Sequence, residues 1–158
     1  MSQPRTSIAS AAPSVTCSPS IQIEYSFPSK VAAISSFVDT LILMLTRCRC
    51  IFGYEGEVET ALREALNNAV VHGNHEDPSK CVRVVCCCEF GEVCMTVRDE
   101  GRGFDFENIP DPTTPGRIYS TRGRGIYLIK AFMDEVRFEE GGSIVHMRKR
   151  AFQTDPST

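Results

Sequence analysis

The strongest hydrophobic pattern in the chain lies between Val58 and Val70. Val58, Ala61, Leu62, Ala65, Leu66, Ala69 and Val70 recur at helical spacing. They predict an amphipathic helix, with Gly73 as its C-terminal cap. An earlier stripe of Val31, Ile34, Phe37, Val38, Leu41, Ile42 and Leu45 predicts a first helix, with Ser29 as N-cap and an end before Gly53. Period-two alternation predicts a short strand over 21–27, stopped by Pro28. It predicts two more through Val82, Val84, Cys86 and Cys88 and through Val93, Met95 and Val97, joined by a Phe90-Gly91 turn. Residues 104–122 hold three prolines and no period, and a loop of that length inside a domain is usually functional. A short apolar helix over 126–133 follows. A hairpin of 135–139 and 143–150 around Gly141-Gly142 closes the pattern. No internal repeat is present. This order predicts an α/β (α+β) two-layer sandwich, a mostly antiparallel sheet with helices on one face.

Composition narrows the class. A chain of 158 residues with 42% hydrophobic and 23% charged residues has room for one globular domain. The expected division is a disordered leader over 1–20, a folded domain over 21–150 and a short tail over 151–158. A net charge of −3 gives no electrostatic reason for nucleic-acid binding, and Arg148-Lys149-Arg150 reads as a solvated strand end. The longest apolar run, Leu41 to Leu45, is too short to span a bilayer. Residues 1–20 lack the apolar core of an export signal, so a cytoplasmic protein without membrane attachment is expected. Its eight cysteines are then expected to stay reduced and to pack as small apolar residues. Cys48-Arg-Cys50 and Cys86-Cys87-Cys88 lack the Cys-x-x-Cys spacing of zinc knuckles, and neighbouring strand residues face opposite ways. His72, His75 and Glu76, just past a helix end, offer no fixed metal geometry either.

Three motifs carry the chemistry. Glu64 and Asn68 lie four apart on the second helix, so their side chains are neighbours at the edge of its apolar stripe. The amide oxygen of Asn68 is a hard ligand suited to Mg2+, and Glu64 can accept a proton from an attacking hydroxyl. Asp99 ends a strand just before Gly101 and Gly103. An ionised Asp only accepts hydrogen bonds and so matches the exocyclic amine of adenine. Gly123-Arg124-Gly125 opens the third helix, where free backbone N–H groups and the helix dipole favour phosphate. Arg117, Arg122 and Arg124 add positive charge there. Each motif also has an ordinary reading as a polar helix border, a turn or a loop end; their order together describes a pocket for an adenine nucleotide.

Glu-x-x-x-Asn, Asp-x-Gly-x-Gly and Gly-x-Gly resemble the N box and the two glycine boxes of the GHKL (Bergerat-fold) ATPases, which include gyrase, histidine kinases and anti-sigma-factor serine kinases. Glu64-Ala-Leu-Asn-Asn-Ala-Val-Val-His-Gly73 and Phe132-Met-Asp-Glu-Val136 are most similar to the last group. The resemblance spans about residues 21–150 and implies the Bergerat fold, with a mostly antiparallel mixed sheet. It implies an ATP- and Mg2+-dependent serine/threonine kinase that phosphorylates a STAS-domain anti-anti-sigma protein, sequesters a sigma factor and acts as a homodimer. Carried over, Glu64 is the catalytic base, Asn68 the Mg2+ ligand and Asp99 the adenine reader. Gly101, Gly103, Gly123, Arg124 and Gly125 shape the nucleotide pocket, and 104–122 form its lid. Ser143 stands where many relatives have Thr near adenine. A binding module that sequesters a partner without phosphorylating it is the alternative. An ATPase domain phosphorylating a partner histidine is a third, separable by the acid lability of phosphohistidine.

Overall fold

A computed structural model describes residues 21–89, 91–103 and 123–150. Strand β1 (Ile21–Pro28) leads to helices α1 (Ala32–Arg47) and α2 (Glu55–Asn67), which continues into a π-helical turn, Asn68–Gly73. Strands β2 (Cys81–Glu89) and β3 (Glu92–Arg98) follow, then helix α3 (Arg124–Phe132), strand β4 (Glu135–Glu139), a 3-10 turn (Glu140–Gly142) and β5 (Ile144–Arg150). The five strands order as β1-β2-β3-β5-β4, and every pairing is antiparallel. The expected two-layer sandwich is therefore present, but among the described residues no parallel pair makes its sheet mixed. Phe90 of the expected hairpin turn lies outside the described residues, as do the leader, 104–122 and the tail.

Alternation decides which sheet face is covered. Val82, Val84, Cys86, Val93, Met95, Val97 and Met147 are nearly inaccessible and form the sheet's half of the core. Ile34, Val38, Leu41 and Leu45 of α1, the α2 stripe and Ile129 of α3 supply the other half. Arg63 clamps the two long helices, reaching Asp39 at 2.6 Å and Glu59 at 2.9 Å. Val31, expected on the α1 core face, is 44% exposed because the helix begins one residue later. Ser29 is not the cap either. Its backbone N–H donates to the Lys80 carbonyl beside the end of β1, and Val31 is the N-cap residue, with no side-chain capping bond. Among the described residues no helix is long and apolar enough to cross a membrane.

Two further expectations are overturned. Cys50 and Cys88 are bonded as a disulfide, so not all eight cysteines are thiols. The α1–α2 connection folds back over the end of β2 and brings the two Cα atoms to 6.0 Å, within bridging range. Closing a loop of that length contributes about 4 kcal/mol in the chain-entropy account. The basic run at the end of β5 is solvated only in part, at Arg148 and Arg150. Lys149 is 8% exposed, with its ammonium 2.6 Å from Glu57 and 2.8 Å from the Phe132 carbonyl that accepts its hydrogen bond. Burial pushes its pKa down, but the Glu57 hydrogen bond and the Asp134 and Glu57 charges outweigh burial and leave it raised. Arg148 and Arg150 pair with Glu92 and Glu135. One cation thus ties α2, α3 and β5 together. Lys149→Ala is expected to lower unfolding free energy by about 2 kcal/mol, read as a lower urea midpoint at unchanged slope; an unchanged midpoint would show the cluster to be energetically idle.

Candidate functional site

Helix α2 delivers the first motif and then changes pitch. At Asn68 it widens into the π-helical turn, an irregularity frequent at functional sites. The turn ends at Gly73 directly beneath Asp99, where a Cβ would overlap the Asp99 carboxylate. Gly73 is therefore required by close approach, not as a left-handed cap; it is absent from the glycines with positive φ. Gly101 packs on the same spot, since its Cβ would strike the Gly73 carbonyl. Asn74, fully buried, fastens the two segments: its Nδ2 donates to the Cys81 carbonyl at 3.0 Å, and its Oδ1 accepts from the Glu100 N–H at 2.8 Å. The sequence gives no sign of that role, because an Asn after a helix reads as an ordinary turn residue. Gly73→Ala is expected to cost about 1–3 kcal/mol of stability through overpacking, measured as a depressed thermal midpoint. A variant as stable as the parent would mean that Asp99 has room to move.

Asp99 leaves β3 with its N–H donating to the Ser143 carbonyl at 2.9 Å. Its Oδ1 accepts the Gly101 N–H at 2.8 Å, and the residue is 5% exposed. Burial raises its pKa above the ordinary carboxylate value, while the Gly101 N–H and the Lys80 and His75 charges pull it partly back. The Ser143 hydroxyl, expected near a base, donates instead to the Glu140 carbonyl at 3.1 Å. Asn68, Val97, Asp99, Ile129, Ser143 and Val145 line a small cavity of about 10 Å³, the space of a single water.

The third motif meets the first. Gly123 caps α3 in the left-handed region at φ 90°, and buried Gly125 lies on its first turn. A Cβ on Gly125 would come within 2.6 Å of the Glu64 Oε2 and 3.5 Å of the Asn68 Oδ1. A side chain there would fill the space these two groups face. The Asn68 Nδ2 is buried and has no hydrogen-bond partner among the described residues. That amide and the half-buried Glu64 carboxylate form a polar pair suited to a divalent cation and its waters. Gly103, at φ 78°, packs so that a Cβ would strike the Gly141 carbonyl, locking the second motif to the turn before β5. Arg124 is exposed at the start of α3. Arg117, Arg122 and the proposed lid lie outside the described residues. His75 and Glu76 occupy consecutive left-handed positions at φ 56° and 55°. No cluster of three or more His, Cys, Asp or Glu suited to a metal occurs among the described residues.

Comparison with known proteins gives the family. The histidine kinase-like ATPase domain family matches residues 27–149. An anti-sigma F factor from Heyndrickxia coagulans is 36% identical over 97 residues, 58% of this chain and 66% of that protein. One from Geobacillus stearothermophilus is 37% identical over 99 residues, 59% and 67% of the two chains. One from Oceanobacillus iheyensis is 33% identical over 99 residues, 60% and 68%. The match thus spans about two thirds of each relative's length. The chain belongs to the histidine kinase-like ATPase domain family, alongside these anti-sigma F factors.

Proposed function

We propose that this protein is an ATP-dependent serine/threonine kinase acting as an anti-sigma regulatory factor in the cytoplasm. In this role it transfers the γ-phosphate to a serine of a STAS-domain antagonist and otherwise holds a sigma factor. The observation that carries the proposal is the convergence at Gly125, whose missing side chain leaves the Glu64 carboxylate and the Asn68 amide facing the start of α3. Asp99 accepts the adenine amine with the carboxylate oxygen that Gly101 does not use. Because the cavity beside it has room for only one water, the base lies over its mouth. The backbone N–H groups after Gly123 receive phosphate oxygens, with Arg124 nearby as a counter-charge. Asn68 would hold the Mg2+, which would supply positive charge against the phosphates. Glu64 takes the proton of the substrate hydroxyl. Ser143, whose hydroxyl is turned to Glu140, contributes through its backbone carbonyl on the Asp99 N–H.

A homodimer completes the proposal. Among the described residues β1 is an edge strand whose Tyr25 is 51% exposed and stacks on Phe37 of α1 at 5.1 Å, and exposed Met44 of α1 lines the same groove. A second copy would cover this apolar edge. The kinase assignment is tested by incubating the full chain with γ-labelled Mg-ATP and a lysate of the source cells. Acid-stable label on a small protein supports a serine/threonine kinase, and acid-labile label points to histidine transfer. No label from protein that binds Mg-ATP would overturn the kinase and favour a sequestering module.

A further inference from the structure

The Cys50–Cys88 disulfide lies away from the nucleotide site and is sealed from solvent, with Cys50 2% and Cys88 8% exposed. Cys88 pairs with Val93 at the start of β3, whereas Asp99 follows the far end of that strand. A dissolved thiol therefore has no direct approach to either sulfur. Two residues before Cys50, however, stands Cys48, a free and exposed thiol. The Cys50 Sγ lies 3.9 Å from the Cys48 carbonyl oxygen, which puts the bridge against the backbone of the residue that carries the free thiol. Arg49 between them is in the left-handed region at φ 59°, a conformation that costs a non-glycine residue about 1 kcal/mol. The Arg49 guanidinium rests on the exposed Phe52 ring at 5.4 Å, and Arg47 stands on the other side of Cys48. An exposed thiol flanked in the sequence by two arginines, two residues from a buried bridge, suits exchange with an anionic thiol.

We propose that Cys48 is the entry thiol of an exchange relay that connects the buried Cys50–Cys88 bridge to anionic low-molecular-weight thiols of the glutathione class. In the reducing direction the Cys48 thiolate attacks the Cys50 Sγ. The Cys48–Cys50 bond forms, the Cys50–Cys88 bond breaks, and Cys88 leaves as a thiolate that takes up the proton Cys48 gave to water. An external thiolate then attacks the exposed Cys48 Sγ, forming a mixed disulfide and releasing Cys50 as a thiol after protonation. A second external thiol resolves the mixed disulfide, restoring the Cys48 thiol and leaving the small molecule as its own disulfide. Two external thiols are oxidised and one protein disulfide is reduced; the reverse sequence closes the bridge with a low-molecular-weight disulfide as oxidant.

The remaining described thiols do not serve. Cys87 adjoins Cys88 but points to the opposite sheet face, beside its cross-strand partner Cys94. Cys86 is buried, and its thiol is pushed up to about 12 by burial, then by the Cys87 and Cys94 charges, which leaves it without thiolate at neutral pH. Cys81 is exposed but sits at the other end of β2, where it pairs with Pro28.

The test uses the full chain purified without reductant, with peptide mapping to locate its bridge. Reduction by glutathione is followed by alkylation of Cys50 and Cys88 and mass spectrometry. Cys48→Ser is expected to slow glutathione reduction about tenfold or more, while Cys87→Ser matches wild type. The oxidised forms of all three proteins are expected to share one urea midpoint, and that equality controls for altered folding. Cys48→Ala provides a second variant of the same exposed position. Equal glutathione rates in wild type and both Cys48 variants, or a map without the Cys50–Cys88 bridge, would overturn the proposal. ATP binding by the same samples is expected to be unaffected by the state of the bridge, so this outcome is independent of the kinase assignment.

Discussion

Glu64→Gln is expected to lower phosphoryl transfer about 100- to 10,000-fold while ATP affinity changes little. Gln keeps the shape and hydrogen-bonding reach of Glu but cannot take a proton. Only the step in which the substrate hydroxyl is deprotonated should suffer. The local packing makes this a clean substitution: Gly125 leaves open the space that the Glu64 carboxylate faces, so an isosteric amide fits without displacing α3. The effect should fall on kcat with KM for ATP preserved, since Glu64 in its proposed role does not hold the nucleotide. Single-turnover transfer to an isolated substrate, with ATP affinity measured in parallel, separates the two quantities. If the rate survives, Glu64 is not the base. If affinity collapses with the rate, its contribution is to the shape of the pocket shared with Asn68.

How much of this was legible beforehand varied with the range of the interaction. The α2 stripe, the β2 and β3 alternation and the order of elements follow from periods of 3.6 and 2, which one segment reveals by itself. The adjacency of β1 to β2 and of β3 to β5 does not, because strand order depends on where chain crossovers land. Gly73 shows the limit at a single residue. Its position past an apolar helix suits a C-cap, yet the helix widens into a π turn and the glycine serves to admit Asp99. Lys149 shows another. Within Arg-Lys-Arg it looks like its neighbours, but alternation along β5 turns it inward, where Glu57 and Asp134 meet it from other elements. The Cys50–Cys88 bridge joins residues 38 apart in sequence, and only the return path of the α1–α2 connection brings them together. The three motifs themselves were readable because each has a local grammar. That Gly125 faces Glu64 and Asn68, and Gly73 faces Asp99, was not, since these contacts are between elements.

Asp99→Asn is expected to weaken ATP binding about tenfold to a hundredfold. The carboxylate has two accepting oxygens, and Oδ1 is already committed to the Gly101 N–H at 2.8 Å. In its proposed role the other accepts the adenine amine. An amide has one oxygen only. Whichever way it turns, an N–H of the asparagine confronts either the Gly101 N–H or the ligand amine, donor against donor. The pH dependence gives the prediction a sign. Burial raises the Asp99 pKa, so on acidification Asp99 takes up a proton before an ordinary aspartate would. Protonation turns an acceptor into a donor, so wild-type affinity should fall as pH drops through this raised value and level off above it. Stability runs the other way: because the folded pKa exceeds the unfolded one, Asp99's contribution weakens as pH rises from the ordinary carboxylate range through the raised value. Asp99→Asn should remove both dependences together. Titration calorimetry across mildly acidic pH, with denaturant melts on the same samples, reads them side by side. An affinity profile in the variant that still follows the wild-type acid limb would assign that limb to another group and remove Asp99 from the base-reading role.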